Sequence, residues 1–251
     1  MTRSAKPISE ITPMPAESLE VRNLRTGYGP TVVIEDISFS VPAGARLSIL
    51  GRNGMGKTTL LSSLMGLTKR YGGEILLGGR NVAGLKSCDR ALGGLGLVPQ
   101  TRDIFRSLTV EENLIAGLKD RPRSALDEAY AMFPRLRERR RNLGWQLSGG
   151  EQQMLSTART ILGRPSVLLL DEPLEGLAPV ICDELMAAFT RLASGGEMTI
   201  LLVEQRIESA LDFADTVMIL ERGRIVWQGS SEALRTDQDL VEQFIGVGSL
   251  H

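Results

Sequence analysis

Histidine, cysteine and aromatic residues are scarce in this chain of 251 residues, which holds one histidine, two cysteines and 4% aromatic residues. The cysteines, Cys88 and Cys182, lie far apart and form no metal-ligand or redox spacing. We therefore expect two reduced thiols, as in cytosolic proteins. No apolar run approaches the roughly 20 residues that span a bilayer. The N-terminus also lacks the apolar core of a signal peptide. Any membrane role is therefore expected to depend on a partner.

An excess of charge of either sign is also missing. The chain has 29 Lys+Arg against 30 Asp+Glu, and its net charge is −1. This balance gives no general attraction to nucleic acid or to an anionic membrane. The basic run at 135–141 has no interleaved aromatic residues and is typical of a solvated helix face. We expect no nucleic-acid partner.

The most informative stretch is the run of residues 51–58, which fits the phosphate-binding pattern G-x-x-x-x-G-K-[ST]. An apolar run at 45–50 predicts a buried strand before it, and the pattern over 58–65 predicts a helix after it. Glycine backbone N–H groups can then surround an anion, with the helix N-terminus adding partial positive charge. Lys57 is predicted to reach the β- and γ-phosphates, and the Thr58 hydroxyl to hold Mg²⁺. The predicted nucleotide-binding residues of this loop are Gly51, Asn53, Gly54, Gly56, Lys57, Thr58 and Thr59. A tight turn that binds nothing would leave the Lys-Thr pair unexplained.

A second motif is the apolar run at 167–170 followed by two acids, Asp171 and Glu172. Adjacent carboxylates at a strand end repel each other, and an ordinary strand end before Pro173 has no need of them. Beside a phosphate loop, the first acid can hold Mg²⁺ through water and the second can polarise an attacking water. We predict these roles for Asp171 and Glu172.

A third motif is the run of residues 147–153, Leu-Ser-Gly-Gly-Glu-Gln-Gln. Ser148 and Glu151 have the spacing of a capping box at a helix start. Two glycines in the first turn are not explained by capping, because each costs up to about 1 kcal/mol in a helix. Free N–H groups at a helix N-terminus would suit a second anion contact.

The remaining pattern predicts an α/β fold with a phosphate-loop NTPase core, in which helices cover a mostly parallel sheet. Residues 1–18 are expected to form a flexible leader, and 19–251 a single ATPase-type domain. Strand-like runs at 19–21, 32–34, 37–41 and 74–77 predict an N-terminal antiparallel layer. Helical signals replace strands over about 101–161, which we interpret as a helical insertion. Within it, Thr109 and Glu112 have the spacing of a capping box, and residues 124–133 predict a helix that Pro134 ends. Residues 221–224 predict a hairpin with Gly223 at its third loop position.

Taken together, the loop GRNGMGKTT, Gln100, LSGGEQQ and VLLLDEP resemble, in their order, the ATP-binding-cassette ATPases. The resemblance runs from Leu19 to about Leu234. It is closest to the ATPase subunits of branched-chain amino acid importers and their urea or amide relatives. That finer resemblance rests on GRNGMGKTTLLSSLMGL, GLGLVPQTRDIFRSLTVEENL, DEPLEGLAP and LLVEQ. It implies a subunit that hydrolyses ATP with Mg²⁺ to energise a membrane importer.

The resemblance also implies roles for individual residues. Tyr28 matches the aromatic residue that stacks on adenine, and Gln100 the residue that contacts Mg²⁺ and water and senses the transport subunit. Glu172 matches the catalytic base. Ser148, Gly149 and Gly150 match the segment that contacts the γ-phosphate on the opposite subunit of a head-to-tail dimer.

Two positions depart from the commonest family pattern. Gln205 stands where the family usually has a catalytic histidine, and the chain's only histidine is His251. Glutamine can donate a hydrogen bond to the γ-phosphate but does not titrate near neutral pH. The run 175–178 lacks the Asp that commonly follows the catalytic acid.

The resemblance further implies partners and location. These are membrane permease subunits, a second ATPase subunit that keeps the histidine, and an extracytoplasmic solute-binding protein, with this chain on the cytoplasmic face of the cell membrane. Three alternatives remain at this level: a soluble cassette acting on DNA or ribosomes, a cassette scaffold for iron–sulfur assembly, and a nucleotide-binding module without catalysis. Cassettes that act on DNA or ribosomes usually carry a long coiled-coil insertion or two cassettes in one chain, and neither is present in this sequence. The VEQ and EGLAP runs argue against the second, and Glu172 against the third.

Overall fold

The computed structural model describes residues 15–245 of the chain. Most of the predicted leader (residues 1–14) and His251 lie outside this range. The strands are β1 (Leu19–Tyr28), β2 (Thr31–Val41), β3 (Arg46–Leu50), β4 (Lys69–Leu77), β5 (Arg80–Asn81), β6 (Leu95–Val98), β7 (Val167–Asp171), β8 (Thr199–Val203), β9 (Thr216–Glu221) and β10 (Arg224–Ser230). The helices are α1 (Lys57–Leu64), α2 (Ser87–Leu92), α3 (Val110–Ala116), α4 (Leu126–Met132), α5 (Pro134–Glu138), α6 (Gly149–Leu162), α7 (Pro179–Ala193), α8 (Ile207–Phe213), α9 (Ser231–Thr236) and α10 (Gln238–Ile245).

These strands form two sheets. One is antiparallel with the order β2-β1-β4-β5, and the other has the order β10-β9-β3-β8-β7-β6. In the larger sheet β3 pairs in parallel with β8 and β9, and β7 pairs in parallel with β6 and β8, whereas β10 is antiparallel to β9. The predicted α/β core with an N-terminal antiparallel layer is therefore confirmed.

The central strands are apolar on both faces because each face meets a different core. Along β7, Leu168 and Leu170 face a core built with the helices between β6 and β7 and with α7. Val167 and Leu169 face a second core shared with α1 and the antiparallel sheet. All five residues of β7 are buried. This explains why the sequence shows a continuous apolar run in place of an alternating one.

Between β6 and β7 the described chain forms helices and turns, with one isolated β-bridge between Thr109 and Leu143. Thr109 caps α3 through the predicted box, and Glu112 completes it. The predicted helix from Ser124 to Phe133 is shorter: α4 begins at Leu126 after a 3₁₀ turn and ends at Met132, and Pro134 opens α5. Proline fits there, since its missing N–H has no partner in a first helical turn. No helix in the described range is long and apolar enough to cross a membrane.

Two local expectations differ from the structure, and a third is confirmed. The runs at 32–34 and 37–41 belong to one strand, β2, because irregular register with β1 lets the chain stay paired through them. The carbonyl of Glu17 accepts a hydrogen bond from Thr199 and its carboxylate one from Ser166, so the last leader residues are bound to the core. The β9–β10 hairpin has a two-residue loop, Arg222-Gly223, with φ values of 45° and 73°. Gly223 is thus the third of the four turn residues 221–224, as predicted, and a tight hairpin turn with two positive φ angles favours glycine there.

Candidate active site

The predicted site residues come from the ends of four neighbouring strands. The phosphate loop follows β3, Asp171 ends β7, and Gln100 and Gln205 lie two residues beyond β6 and β8. These four strands are adjacent and parallel in the larger sheet. Because the carboxyl ends of parallel strands share one edge, residues far apart in sequence meet there.

The phosphate loop is shaped by close backbone contacts. A Cβ atom on Gly51 would lie 2.3 Å from the carbonyl oxygen of Leu220. Gly56 is the N-cap of α1 with φ 103°, a conformation that other residues rarely adopt. The β9–β10 turn supports the loop, since the Gly223 N–H donates to the Met55 carbonyl at 3.0 Å. The sequence patterns do not reveal this support from Gly223.

Lys57 lies at the start of α1 and its side chain is only 4% exposed. Its Nζ donates to the carbonyls of Gly51 at 2.7 Å and Arg52 at 3.0 Å. The same Nζ lies 3.3 Å from Oε1 of Glu172. A buried ammonium held by three oxygens inside a glycine-rich loop is suited to exchange those oxygens for phosphate oxygens.

Thr58 and Asp171 meet across the loop. The Thr58 hydroxyl donates to Oδ1 of Asp171 at 3.1 Å. Burial raises the pKa of Asp171 to about 6, while the hydrogen bond from Thr58 acts in the opposite direction. Hydroxyl and carboxylate oxygens are the ligand type that Mg²⁺ prefers, so this pair fits the predicted metal site.

Glu172 has φ 45°, in the left-handed region. Its Oε2 accepts from Nε2 of Gln205 at 2.5 Å and from Nε2 of Gln100 at 3.4 Å. Gln100 Nε2 also donates to Glu175 at 2.6 Å. The structure therefore brings Lys57, Glu172, Gln100 and Gln205 into one cluster.

Other predicted residues lie outside this cluster. Tyr28 ends β1 with half of its surface exposed. Tyr28 belongs to the β1–β2 hairpin. This hairpin approaches the phosphate loop, since Cδ1 of its residue Ile34 would lie 3.0 Å from a Cβ atom added to Gly56. Asn53 is exposed in the phosphate loop, and Thr59 is buried in α1.

The segment Ser148–Gly150 makes no hydrogen bond to the phosphate loop within the described residues. It forms the start of α6, where Ser148 accepts from the Glu151 N–H in the predicted capping box. A Cβ on Gly150 would lie 2.9 Å from Ile181, and one on Gly149 would lie 3.0 Å from a guanidinium nitrogen of Arg102. Close packing against Ile181 is therefore a second reason for glycine at position 150, whereas the Arg102 side chain near Gly149 can move.

The sequence analysis assigned no role to Glu204, although an acid at the end of the apolar run 199–203 is a signal. Its side chain is buried and accepts hydrogen bonds from the N–H groups of Leu174 at 3.2 Å and Gln205 at 3.1 Å. Burial raises the pKa of Glu204, and these N–H donors oppose that shift.

Comparison with known proteins identifies the family. A family profile described as ABC transporter matches residues 34–175. The branched-chain amino acid transport ATP-binding protein BraG of Pseudomonas aeruginosa is 38% identical over 91% of this chain and 99% of its own length. The probable branched-chain amino acid transport protein LivF of Archaeoglobus fulgidus is 33% identical with the same coverage. The lipopolysaccharide export protein LptB of Haemophilus influenzae is 32% identical over 91% of this chain and 97% of its own length.

Solved structures agree on the fold. A nucleotide-free ATP-binding cassette from an ABC transporter superposes with a TM-score of 0.78 at 22% identity, covering 93% of this chain and all of that one. The ADP conformation of the cassette MJ1267 gives a TM-score of 0.78 at 24% identity, with coverages of 93% and 99%. The chain therefore belongs to the ABC transporter family and is an ATP-binding and ATP-hydrolysing cassette of that family.

Proposed function

We propose that this chain energises a membrane importer for branched-chain amino acids or a related amide or urea-type solute. The relatives BraG and LivF, whose names give branched-chain amino acid transport, support this choice of solute class. The runs LLVEQ and DEPLEGLAP, which resemble that subfamily, support it as well. The LptB relatives are named for lipopolysaccharide export, so an exporter is the alternative to the proposed importer.

The observation that best supports the proposed hydrolysis centre is the contact between Lys57 and Glu172. In this proposal Glu172 polarises the attacking water, and its carboxylate is held by Lys57 and by Gln205. When the phosphates of ATP provide new partners for Lys57, one oxygen of Glu172 loses its ion pair and can accept a proton from water. Gln205 keeps the other oxygen oriented.

Thr58 and Asp171 are the residues that would hold Mg²⁺. The ion supplies charge neutralisation for the phosphates when bound. Asp171 needs to be ionised for this role, and nearby positive charge favours the ionised form of a buried carboxyl group. Thr58 provides the neighbouring hydroxyl oxygen.

Gln100 provides the proposed connection to the membrane partner. Its amide bridges Glu172 and Glu175, and the chain then continues through Arg102 and Asp103 towards an exposed aromatic surface. That surface consists of Phe105 and Trp145, which are 50% and 57% exposed.

The surface of Phe105 and Trp145 is suited to a permease segment. The two residues lie on segments that pair, since the Trp145 N–H donates to the Arg106 carbonyl at 3.1 Å. The guanidinium of Arg159 lies 4.9 Å from the ring centre of Phe105 and supports it from α6. Exposed aromatic residues on a supported surface are typical of binding hot spots. An apolar segment of a permease at the cytoplasmic face of the cell membrane is the proposed occupant.

The Ser148–Gly150 segment is exposed or half-buried and makes no hydrogen bond to the chain's own phosphate loop within the described residues. We propose that it contacts ATP on a second ATPase subunit, in a head-to-tail heterodimer whose partner supplies a histidine where this chain has Gln205. An extracytoplasmic solute-binding protein completes the proposed transporter.

The experiment measures ATP hydrolysis by the purified chain and solute uptake by cells. Glu172→Gln keeps the shape of the side chain but removes the base, so hydrolysis is expected to fall by at least about a hundredfold while ATP still binds. Glu208→Gln, the same change at an exposed position of α8, is the matched control. Normal hydrolysis by the Glu172 variant would reject the assignment of the base.

The transport test uses cells that lack this gene. Uptake of radiolabelled leucine and of urea is measured after restoring either the wild-type chain or Glu172→Gln. The proposal expects the wild type to restore uptake of one solute and the variant to restore none. Unchanged uptake of both, together with a defect in lipopolysaccharide at the cell surface, would support export and refute the importer.

A further inference from the structure

Glu204 connects the two parts of the hydrolysis centre. It follows β8 directly, and its side chain is 3% exposed. One oxygen accepts from the Leu174 N–H at 3.2 Å, and the other accepts from the Gln205 N–H at 3.1 Å. Leu174 is two residues beyond Glu172. A single buried carboxylate therefore binds both the segment after the proposed base and the segment of the glutamine that contacts it.

The connection through Glu204 matters because Glu172 has an unfavourable backbone conformation. Its φ of 45° is unfavourable for a residue with a side chain, and such conformations persist where surrounding contacts hold them. The Glu172 N–H donates to the Val203 carbonyl at 2.9 Å, and the Leu174 N–H donates to Glu204. The strained residue is thus held on both sides by the end of β8. Its side chain points towards Lys57 and Gln205 as a result.

The chemistry of Glu204 also requires an explanation. Glu204 forms no ion pair within the described residues, and the charge of Glu172 adds to the effect of burial in raising its pKa. A buried acid without a cation is unfavourable unless hydrogen bonds satisfy it. Among side chains, only a carboxylate offers two acceptor oxygens, one for each of these two N–H groups. An apolar residue would fill the space but would leave both donors unpaired.

We propose that Glu204 is a positioning residue for ATP hydrolysis, which fixes the Glu172 carboxylate relative to Gln205 through the backbone of both segments. The proposal rests on the proposed role of Glu172 as the base. The Glu204 side chain forms no hydrogen bond or ion pair with Lys57 or the phosphate loop within the described residues, so it acts on the step that Glu172 carries out and leaves nucleotide binding in place.

The test compares Glu204→Gln with the control Glu208→Gln. Glutamine keeps the volume but places an NH₂ group against one of the two N–H donors. We expect kcat to fall at least about tenfold, which corresponds to about 1.4 kcal/mol in the barrier. KM for ATP is expected to stay within about threefold of the wild-type value, because Glu204 is proposed to act on hydrolysis and not on nucleotide binding. Glu204→Asp, which keeps the charge but shortens the reach, is expected to give the same split.

A general structural defect would give a different result. Both variants are assayed well below their melting temperatures, and Glu204→Gln is also combined with Glu172→Gln. If Glu204 acts through Glu172, the double variant is no slower than Glu172→Gln alone, because the two changes remove one function. An additive loss, an equal loss of ATP affinity, or a kcat within about twofold of wild type would overturn the proposal.

The failure of this inference is distinguishable from failure of the proposed function. If Glu172→Gln leaves hydrolysis unchanged, the assignment of the base fails and Glu204 has nothing to position. If Glu172→Gln abolishes hydrolysis and neither Glu204 variant changes kcat, the base is correct and the inference about Glu204 is wrong.

Discussion

The side chain of Arg90 allows a quantitative prediction about α1, the helix that carries the predicted phosphate-binding residue Lys57. Arg90 lies in α2, is only 3% exposed, and donates to four backbone carbonyls. Two of these belong to Ser63 and Leu64 at the end of α1, and the others belong to Ala83 and Leu85. Burial lowers the pKa of Arg90, but arginine stays protonated in proteins. Its guanidinium thus satisfies carbonyls that a helix end leaves without intrahelical partners.

Arg90→Met retains a long flexible side chain and removes all four donors. The Ser63 carbonyl keeps a second donor, the Gly66 N–H at 3.0 Å, and the Leu85 carbonyl bond is only partly buried. The carbonyls of Leu64 and Ala83 are left without any hydrogen bond among the described residues. Each buried unsatisfied group costs about 1–3 kcal/mol, so the free energy of unfolding is expected to fall by about 2–6 kcal/mol.

The assay is urea denaturation without nucleotide, followed by circular dichroism. A loss of 2–6 kcal/mol is a large part of the roughly 5–15 kcal/mol typical of folded proteins, and the m-value is expected to stay unchanged. Arg80→Met is the matched control, because Arg80 is exposed and donates to the Gly93 carbonyl at the surface. A loss below about 1 kcal/mol for Arg90→Met would show that water replaces the guanidinium, and the reasoning would be refuted.

Three further predictions concern single residues at or near the site. Tyr28→Ala is expected to weaken ATP binding by about 1–2 kcal/mol and Tyr28→Phe to have little effect, because stacking needs the ring; equal losses in a titration with ATP would point to the hydroxyl. Gln205→His is expected to introduce an inflection between about pH 6 and 8 in the ratio of variant to wild-type hydrolysis, since histidine titrates there and glutamine does not. A flat ratio would remove position 205 from the rate-limiting step. Hydrogen bonding to Arg46, at 2.5 and 3.1 Å, lowers the pKa of Asp215, so this pair stabilises the fold above the ordinary aspartate pKa and loses its effect as the pH falls through the lowered value. Asp215→Asn is therefore expected to cost at most about 1 kcal/mol at pH 7, because the pair is partly exposed, and nothing in strong acid; a cost that is the same at both pH values in thermal unfolding would contradict the assignment.

The local sequence predicted the elements whose cause is local. The apolar runs at 167–170 and 199–203 are strands because they are buried on both faces, and the capping boxes at Thr109 and Ser148 begin helices as their spacing predicts. The sequence predicted the ends of an element less accurately where pairing with a distant segment decides them. β2 continues through 35–36 because β1 pairs on both sides of that point, and the bound position of Glu17 depends on Thr199 and Ser166.

The sequence by itself determined the chemistry of this protein: a phosphate loop ending in Lys57, two acids at a strand end, and a glycine-rich helix start. These motifs are readable because each one needs particular residue types at fixed short spacings. Only the tertiary structure decided which groups act together. The parallel order of β3, β8, β7 and β6 brings Glu172 to Lys57 and brings Glu204 to the segments of Glu172 and Gln205. The packing of α2 buries Arg90 against the end of α1. No local pattern contains that information, because a buried carboxylate or guanidinium is explained only by backbone groups that distant segments bring to it.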